Sequence, residues 1–253
     1  MSINLELKHL SASTINTFIE NRPRWFAQKF CGMKFSGSIH TARGHAVEAG
    51  IVKWLECGDM TEAVKTAMAE WDDKITGMED NLEFRQSIAP LIKVGVEGTD
   101  DHEGFSELKV QFGKAKTQEK IEVWLDGCDI PIIGYLDFLY GKRVVDNKVT
   151  GRSPSSLSQD YVLQGSIYRK ATGLPVYFLF EVANKKPTVK IFKLTDEEYE
   201  FGLNLATQAA KAIQYILDSP IDGALMKAFM FPDPAAGFGD EQKTVIESLG
   251  YKL

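Results

Sequence analysis

Between residues 132 and 149 two short apolar runs meet at a turn glycine, Gly141, and three formal charges, Asp137, Asp146 and Lys148, are set inside them. Runs of this length, rich in β-branched and aromatic residues and joined by a glycine turn, read as adjacent antiparallel strands. A charge inside such an apolar run is costly unless it has a partner. The three groups must therefore meet one another or a ligand. Side chains alternate along a strand, so Asp146 and Lys148 project from one face while Asn147 points to the other. In isolation Asp146 and Lys148 read as a surface ion pair and Asp137 as a turn cap; the apolar context argues against both.

The flanking segments supply the rest of the architecture. Residues 11–98 read mostly as helix, with Ser11 or Ser13 a candidate N-cap and Pro23 suited to a first helical turn. Helices are expected over residues 42–56, where Val47, Ile51, Val52 and Leu55 keep helical spacing, and then over 61–75 and 81–96, with Gly77 between these two. From Ser106 the pattern turns to alternation, which predicts one strand through Leu108, Val110 and Phe112 and another through Ile121, Val123 and Leu125. After the pair at 132–139 and 143–149 comes a serine-rich loop with Gly151 and Pro154. A helix at 156–172, strands at 176–182 and 188–194, and a long helix at 196–217 complete the order. Strands, crossover helix, strands, with helices around them, specify an α/β fold with a mixed sheet flanked by helices. The tail, with Phe231, Pro232, Asp233 and Pro234, is expected to pack as an irregular arm.

Four features stand in order along the chain: His45 within Arg43-Gly44-His45-Ala46-Val47-Glu48, Gly134-Tyr135-Leu136-Asp137, Asp146-Asn147-Lys148, and Gln164 with Tyr168. In this order, and with the opening Leu10-Ser11-Ala12-Ser13-Thr14-Ile15-Asn16, the chain resembles the PD-(D/E)XK nuclease superfamily, and within it the RecB-like and phage recombination exonuclease type. The resemblance implies a restriction-endonuclease-like core behind an N-terminal helical region. It frames residues 1–253 as a single nuclease domain, with the His motif in 1–100, the core in 105–195 and a C-terminal helix and tail in 196–253.

The resemblance also implies a site. Asp137, Asp146, Lys148, Gln164 and Tyr168 would be catalytic. A Mg²⁺ or Mn²⁺ ion would be held by His45, Asp137, Asp146 and the backbone carbonyl of Asn147. Two carboxylates suit Mg²⁺, which keeps several waters, and an imidazole makes Mn²⁺ an alternative. Lys148, beside two carboxylates, keeps its proton and serves best as an electrostatic stabiliser. Glu48, one helical turn from His45, and Glu107 are candidate supporting residues around the ligands. Gln164 and Tyr168, four apart on a helix, share a face.

Bulk properties narrow the partners. A formal net charge of −6 argues against general electrostatic coating of nucleic acid, so contact with DNA must be local. Lys109, Lys114, Lys185 and Lys186 are candidate phosphate contacts, although any one lysine cluster reads equally well as solvated surface. Cys31, Cys57 and Cys128 lie far apart without a Cys-x-x-Cys pair, which fits a cytoplasmic setting, the host cytoplasm if phage-encoded. Some members of the family that the chain resembles hold an iron–sulfur cluster with one cysteine in the first helical region and three near the C-terminus; here Glu20-Asn21-Arg22-Pro23 has no cysteine and none follows Cys128, so no cluster is expected. The polar N-terminus does not resemble a signal peptide, and no apolar run reaches membrane-span length.

The resemblance favours a metal-dependent DNA nuclease, an exonuclease acting on double-stranded DNA ends in recombination or repair. The partners it implies are DNA, further copies of the chain in a ring, and a single-strand annealing protein. An endonuclease, or a single-strand or flap nuclease with the same site, is the first alternative. A non-catalytic DNA-binding protein that retains the fold is the second.

Overall fold

The computed structural model describes residues 6–30, 33, 37–79 and 81–218. Six helices come first: α1 (Ala12–Glu20), α2 (Arg22–Phe30), α3 (Ile39–Cys57), α4 (Met60–Lys74), α5 (Leu82–Glu97) and α6 (Phe105–Phe112). Then follow β1 (Lys116–Val123), β2 (Ile132–Tyr140), β3 (Arg143–Thr150), α7 (Gln159–Thr172), β4 (Val176–Val182), β5 (Thr188–Lys193) and α8 (Asp196–Asp218). Helix starts are marked by side chains that take up otherwise orphaned amides. Ser11 accepts from the Thr14 N–H, Ser38 from Thr41, Asp59 from Thr61 and Glu62, and Asn81 from Phe84. The expected tail arm and Cys31 lie outside the described residues.

The five strands lie in the order β1-β2-β3-β4-β5. All neighbours are antiparallel except β3 and β4, whose parallel pairing requires a crossover, and α7 supplies it. Apolar side chains on both faces of the sheet give two cores. One gathers Ile15 and Phe18 of α1, Trp25 and Phe26 of α2, Leu163 and Ile167 of α7 and Ala210 and Ile213 of α8 against Val144, Phe178 and Phe180. The other packs α3, α4, α5 and α6 against Phe138, Tyr140, Val145 and Leu179. The result is a mixed sheet flanked by helices with a helical N-terminal region, as the sequence led us to expect.

One element differs from expectation. Residues 105–112 form a helix, not the strand anticipated through Leu108, Val110 and Phe112. Phe105, Leu108 and Phe112 are spaced three and four apart, which fits a helical stripe as well as Leu108 and Phe112 fit an alternation. Packing decides between the two patterns: Phe105 and Leu108 are buried while Val110 is 87 % exposed. Glu107 accordingly sits in the first turn of a helix rather than at the head of a strand.

The second irregularity concerns the strands that carry the site. Leu136 enters one core, yet Phe138 and Tyr140, of the same parity, enter the other. A flat strand cannot do this, so β2 rotates at Asp137. Its ladder to β1 joins Thr117 with Phe138 and Glu119 with Leu136 but omits the pair between them, Gln118 and Asp137. Its ladder to β3 stops at Phe138 with Val145, one step before Asp137 would face Asp146. Asp137 is thus free of the ladder on both sides.

Candidate active site

Where β2 leaves β3, the backbone N–H of Asn147 loses its strand partner, and Asp137 takes that place: its Oδ2 accepts from the Asn147 N–H at 2.9 Å. This ties the Asp137 carboxylate to the strand that carries Asp146 and Lys148. Asp146 is fully buried. Its Oδ2 meets the Lys148 ammonium in an ion pair, without a hydrogen bond of good geometry on that oxygen. Its Oδ1 accepts from Gln164 Nε2 at 3.3 Å, and the same amide donates to the Tyr168 hydroxyl at 2.8 Å. That hydroxyl donates in turn to the Tyr135 carbonyl at 3.0 Å, so α7 is pinned to β2 and β3 by one polar chain. The close approach is set by Gly165, where a Cβ would come within 2.9 Å of the Phe178 ring.

The electrostatics follow from burial. Burial raises the Asp146 carboxyl to about 7, with Lys148 opposing the rise and Asp137 adding to it. Asp137 is pushed up to about 6 by burial and by the nearby Glu48 carboxylate, against the pull of Lys148. Burial also works against the Lys148 ammonium, but Asp146 and Asp137 more than offset it and its pKa rises. Lys148 therefore stays charged, facing carboxylates that repel one another.

Above these groups opens a cavity of about 900 Å³. His45, Glu48, Gln118, Lys120, Tyr135, Asp137, Gln164 and Tyr168 line it, with Ser11 and Ser13 from the start of α1 and Glu70 from α4. His45 reaches it from the exposed side of α3. Glu48 lies deeper: burial and the Asp146 charge raise its pKa, and its Oε1 accepts from Gln118 Nε2 at 2.6 Å.

Among the described residues no three His, Cys, Asp or Glu side chains form a ready cluster for an ion. The donor chemistry nevertheless fits a hard divalent cation. Buried carboxylates, with Glu48 raising the pKa of Asp137 and Asp137 that of Asp146, and an Asp146 oxygen lacking a hydrogen bond, form an oxygen-rich site.

Other anticipated residues lie elsewhere. Glu107 is exposed on α6 and does not line the cavity. Lys109 donates to the Leu55 carbonyl at 2.9 Å and sits over the Trp54 ring, so it fastens the end of α3. Lys114 lines a separate cavity of about 320 Å³. Lys185 and Lys186 are exposed at the turn between β4 and β5. Two residues not anticipated belong to the site's surroundings. Gln118 is one. Glu181 of β4 is the other, fully buried behind β3, where the Asn147 amide, turned so that its nitrogen faces the carboxylate, donates to it at 2.7 Å. Burial raises its pKa well above that of an ordinary glutamate. A lone acid inside Tyr177-Phe178-Leu179-Phe180-Glu181-Val182 was the available sequence signal for it.

No protein-family profile and no curated protein matches the chain. Among solved structures, the "Putative exonuclease" of Eubacterium rectale superposes with a TM-score of 0.64 at 15 % identity, covering 91 % of this chain and 94 % of its own. The chain shares that protein's fold. The alkaline exonuclease LHK-Exo of Laribacter hongkongensis is a looser match, with a TM-score of 0.30 at 14 % identity over 70 % of this chain and 94 % of its own. Likeness at such low identity speaks for the fold alone, whereas activity resides in the side chains of the site.

Proposed function

We propose that this chain is a metal-dependent nuclease that hydrolyses phosphodiester bonds in DNA, an exonuclease acting on double-stranded ends in recombination or repair. The observation that carries the reading is the convergence of Asp137, Asp146 and Lys148 beneath an open cavity, with Gln164 and Tyr168 fixing Asp146 from α7. A binding protein has no use for buried carboxylates that must be kept apart from water at a cost.

Asp137 and Asp146 are the residues that would hold Mg²⁺ or Mn²⁺, with His45, Glu48 and the Asn147 carbonyl around them. A bound divalent ion supplies charge neutralisation on the phosphoryl oxygens and lowers the pKa of a water. The chain's own contribution is positional and electrostatic. Lys148, kept protonated by its two aspartates, opposes the negative charge that grows on the phosphate in the transition state. Gln164 orients the Asp146 carboxylate, and Tyr168 locks the amide that does so. Lys120 and the Ser11 and Ser13 hydroxyls on the cavity wall are suited to phosphate oxygens of the strand that enters.

Contact with DNA is local, as the negative net charge demands. We place the whole of residues 1–253 in one nuclease domain working in the cytoplasm, in company with further copies of itself or an annealing protein. No helix among the described residues is long and apolar enough to cross a membrane. The test is digestion of linear, nicked and closed circular DNA, labelled at either end, in Mg²⁺, Mn²⁺ or chelator. Metal-dependent release of nucleotides from linear ends is expected; no cleavage of any substrate with either metal would overturn the reading.

A further inference from the structure

Gln118 is the one non-glycine residue among those described with a positive φ, at 54°. A residue with a Cβ adopts this left-handed region at a cost, and in a strand it also breaks the ladder. Gln118 does both. Its neighbours Thr117 and Glu119 pair with Phe138 and Leu136, whereas Gln118 itself has no ladder partner. Nothing local calls for this conformation, since no turn or chain reversal occurs there. The benefit must therefore lie in where the side chain goes.

It goes to Glu48. The Gln118 Nε2 donates to the Glu48 Oε1 at 2.6 Å, across 70 residues of sequence, and both line the cavity above Asp137. Without this bond the Glu48 carboxylate faces two others with no hydrogen-bond donor of its own among the described residues. Burial, Asp146 and Glu70 all act against its charge, while Lys148 and the Gln118 amide favour it. An extended strand would send residue 118 to a ladder position opposite Asp137, and the amide would not reach α3.

We propose that Gln118 is a positioning residue of this site, whose strained backbone is retained because it delivers a carboxamide to Glu48 and holds that carboxylate beside Asp137 and Asp146. The proposal rests on the nuclease reading for its purpose, and its measurements are separable from it. Strain kept at a cost to stability is a signature of a site that needs one geometry.

The experiment compares wild type, Gln118→Gly, Glu48→Gln and the double variant by thermal melting in chelator and by Mn²⁺ titration read by electron paramagnetic resonance. Glycine adopts this φ freely, so Gln118→Gly should melt no lower than wild type. Its Mn²⁺ dissociation constant should rise on the order of 10-fold, the usual consequence of losing an outer-shell hydrogen bond. Because Gln118 acts through Glu48, the double variant should bind Mn²⁺ no more weakly than Glu48→Gln alone. Mn²⁺ affinity equal to wild type in Gln118→Gly, or additive losses in the double variant, would overturn the positioning role while leaving the nuclease reading intact. A wild type that neither binds Mn²⁺ nor cuts DNA would overturn both.

Discussion

The Asp137 carboxylate accepts the backbone N–H of Asn147 at 2.9 Å and so fills the place of a strand carbonyl where β2 and β3 part. One side chain thereby closes a gap in the sheet and faces Asp146. Replacing Asp137 with Asn keeps an acceptor for that N–H, whereas Ala leaves it unpaired. Both variants should lose cleavage, but only Asp137→Ala should also lose stability, by about 1–3 kcal/mol for the unsatisfied buried amide. Denaturant unfolding of the two variants in chelator checks this; equal stability would mean that the hydrogen bond contributes nothing to the fold.

Asp146 and Lys148 should prove indispensable to cleavage. Asp146→Asn retains an acceptor for Gln164, and Lys148→Met keeps an unbranched stem while removing the ammonium that lies over the Tyr161 ring. Rates in either should fall by about 10²- to 10³-fold or more, with the circular dichroism of wild type. Turnover close to wild type in one of them would remove that residue from the mechanism.

The metal-free protein should be more stable near pH 5 than near pH 8. Asp137 and Asp146 have folded-state pKa values of about 6 and about 7. Both lie above the ordinary aspartate value, so between about pH 4 and those values the folded state binds more protons than the unfolded one. The stability these groups give is complete below the unfolded pKa and is lost as pH rises through the folded one, at roughly 1 kcal/mol per pH unit for each. Glu48 and Glu181 act in the same direction. Melting temperature against pH in chelator measures it. Adding Mg²⁺ should reverse the trend above pH 7, because the ion binds the ionised carboxylates.

Linear duplex should be degraded much faster than covalently closed circles, because an acidic protein gains little from random internal encounters. Within the cavity Lys120→Ala should lower the slope of log binding constant against log salt by about one. Lys109→Ala should leave that slope unchanged, since the Lys109 ammonium is engaged with the Leu55 carbonyl. Rapid cutting of closed circles would favour an endonuclease.

Gly95→Ala should destabilise the fold by about 1–3 kcal/mol, because the added Cβ would lie 2.6 Å from the fully buried Glu181 carboxylate and 3.2 Å from Ile51. Combining it with Glu181→Ala should restore part of the loss. Thermal melts of the single and double variants decide it.

The residues legible in the sequence were those whose types conflict with their surroundings or recur at a fixed period. Asp137, Asp146 and Lys148 stood out as charges in apolar strands, and Gln164 and Tyr168 as a polar pair at helical spacing. The strands from 132 onward and the crossover helix followed from the same patterns. Gln118 was not legible. Among Lys116, Thr117, Glu119 and Lys120 a glutamine looks like solvated strand surface, and its importance lies in a backbone angle that composition does not encode. The helix at 105–112 departs from the expected strand because a short apolar pattern satisfies both periods, and only the burial of Phe105 against Phe138 chooses between them.

The cavity draws Glu48 from a helix in one core layer and Gln164 and Tyr168 from a helix in the other, with the rotated strand between them. No fragment that stops short of α7 brings these residues together. A polypeptide emerging from the ribosome would hold Glu48 long before it held Tyr168, and it would remain chemically silent until α7 docked. For the nuclease proposed above, such late completion would act as a built-in safeguard during synthesis.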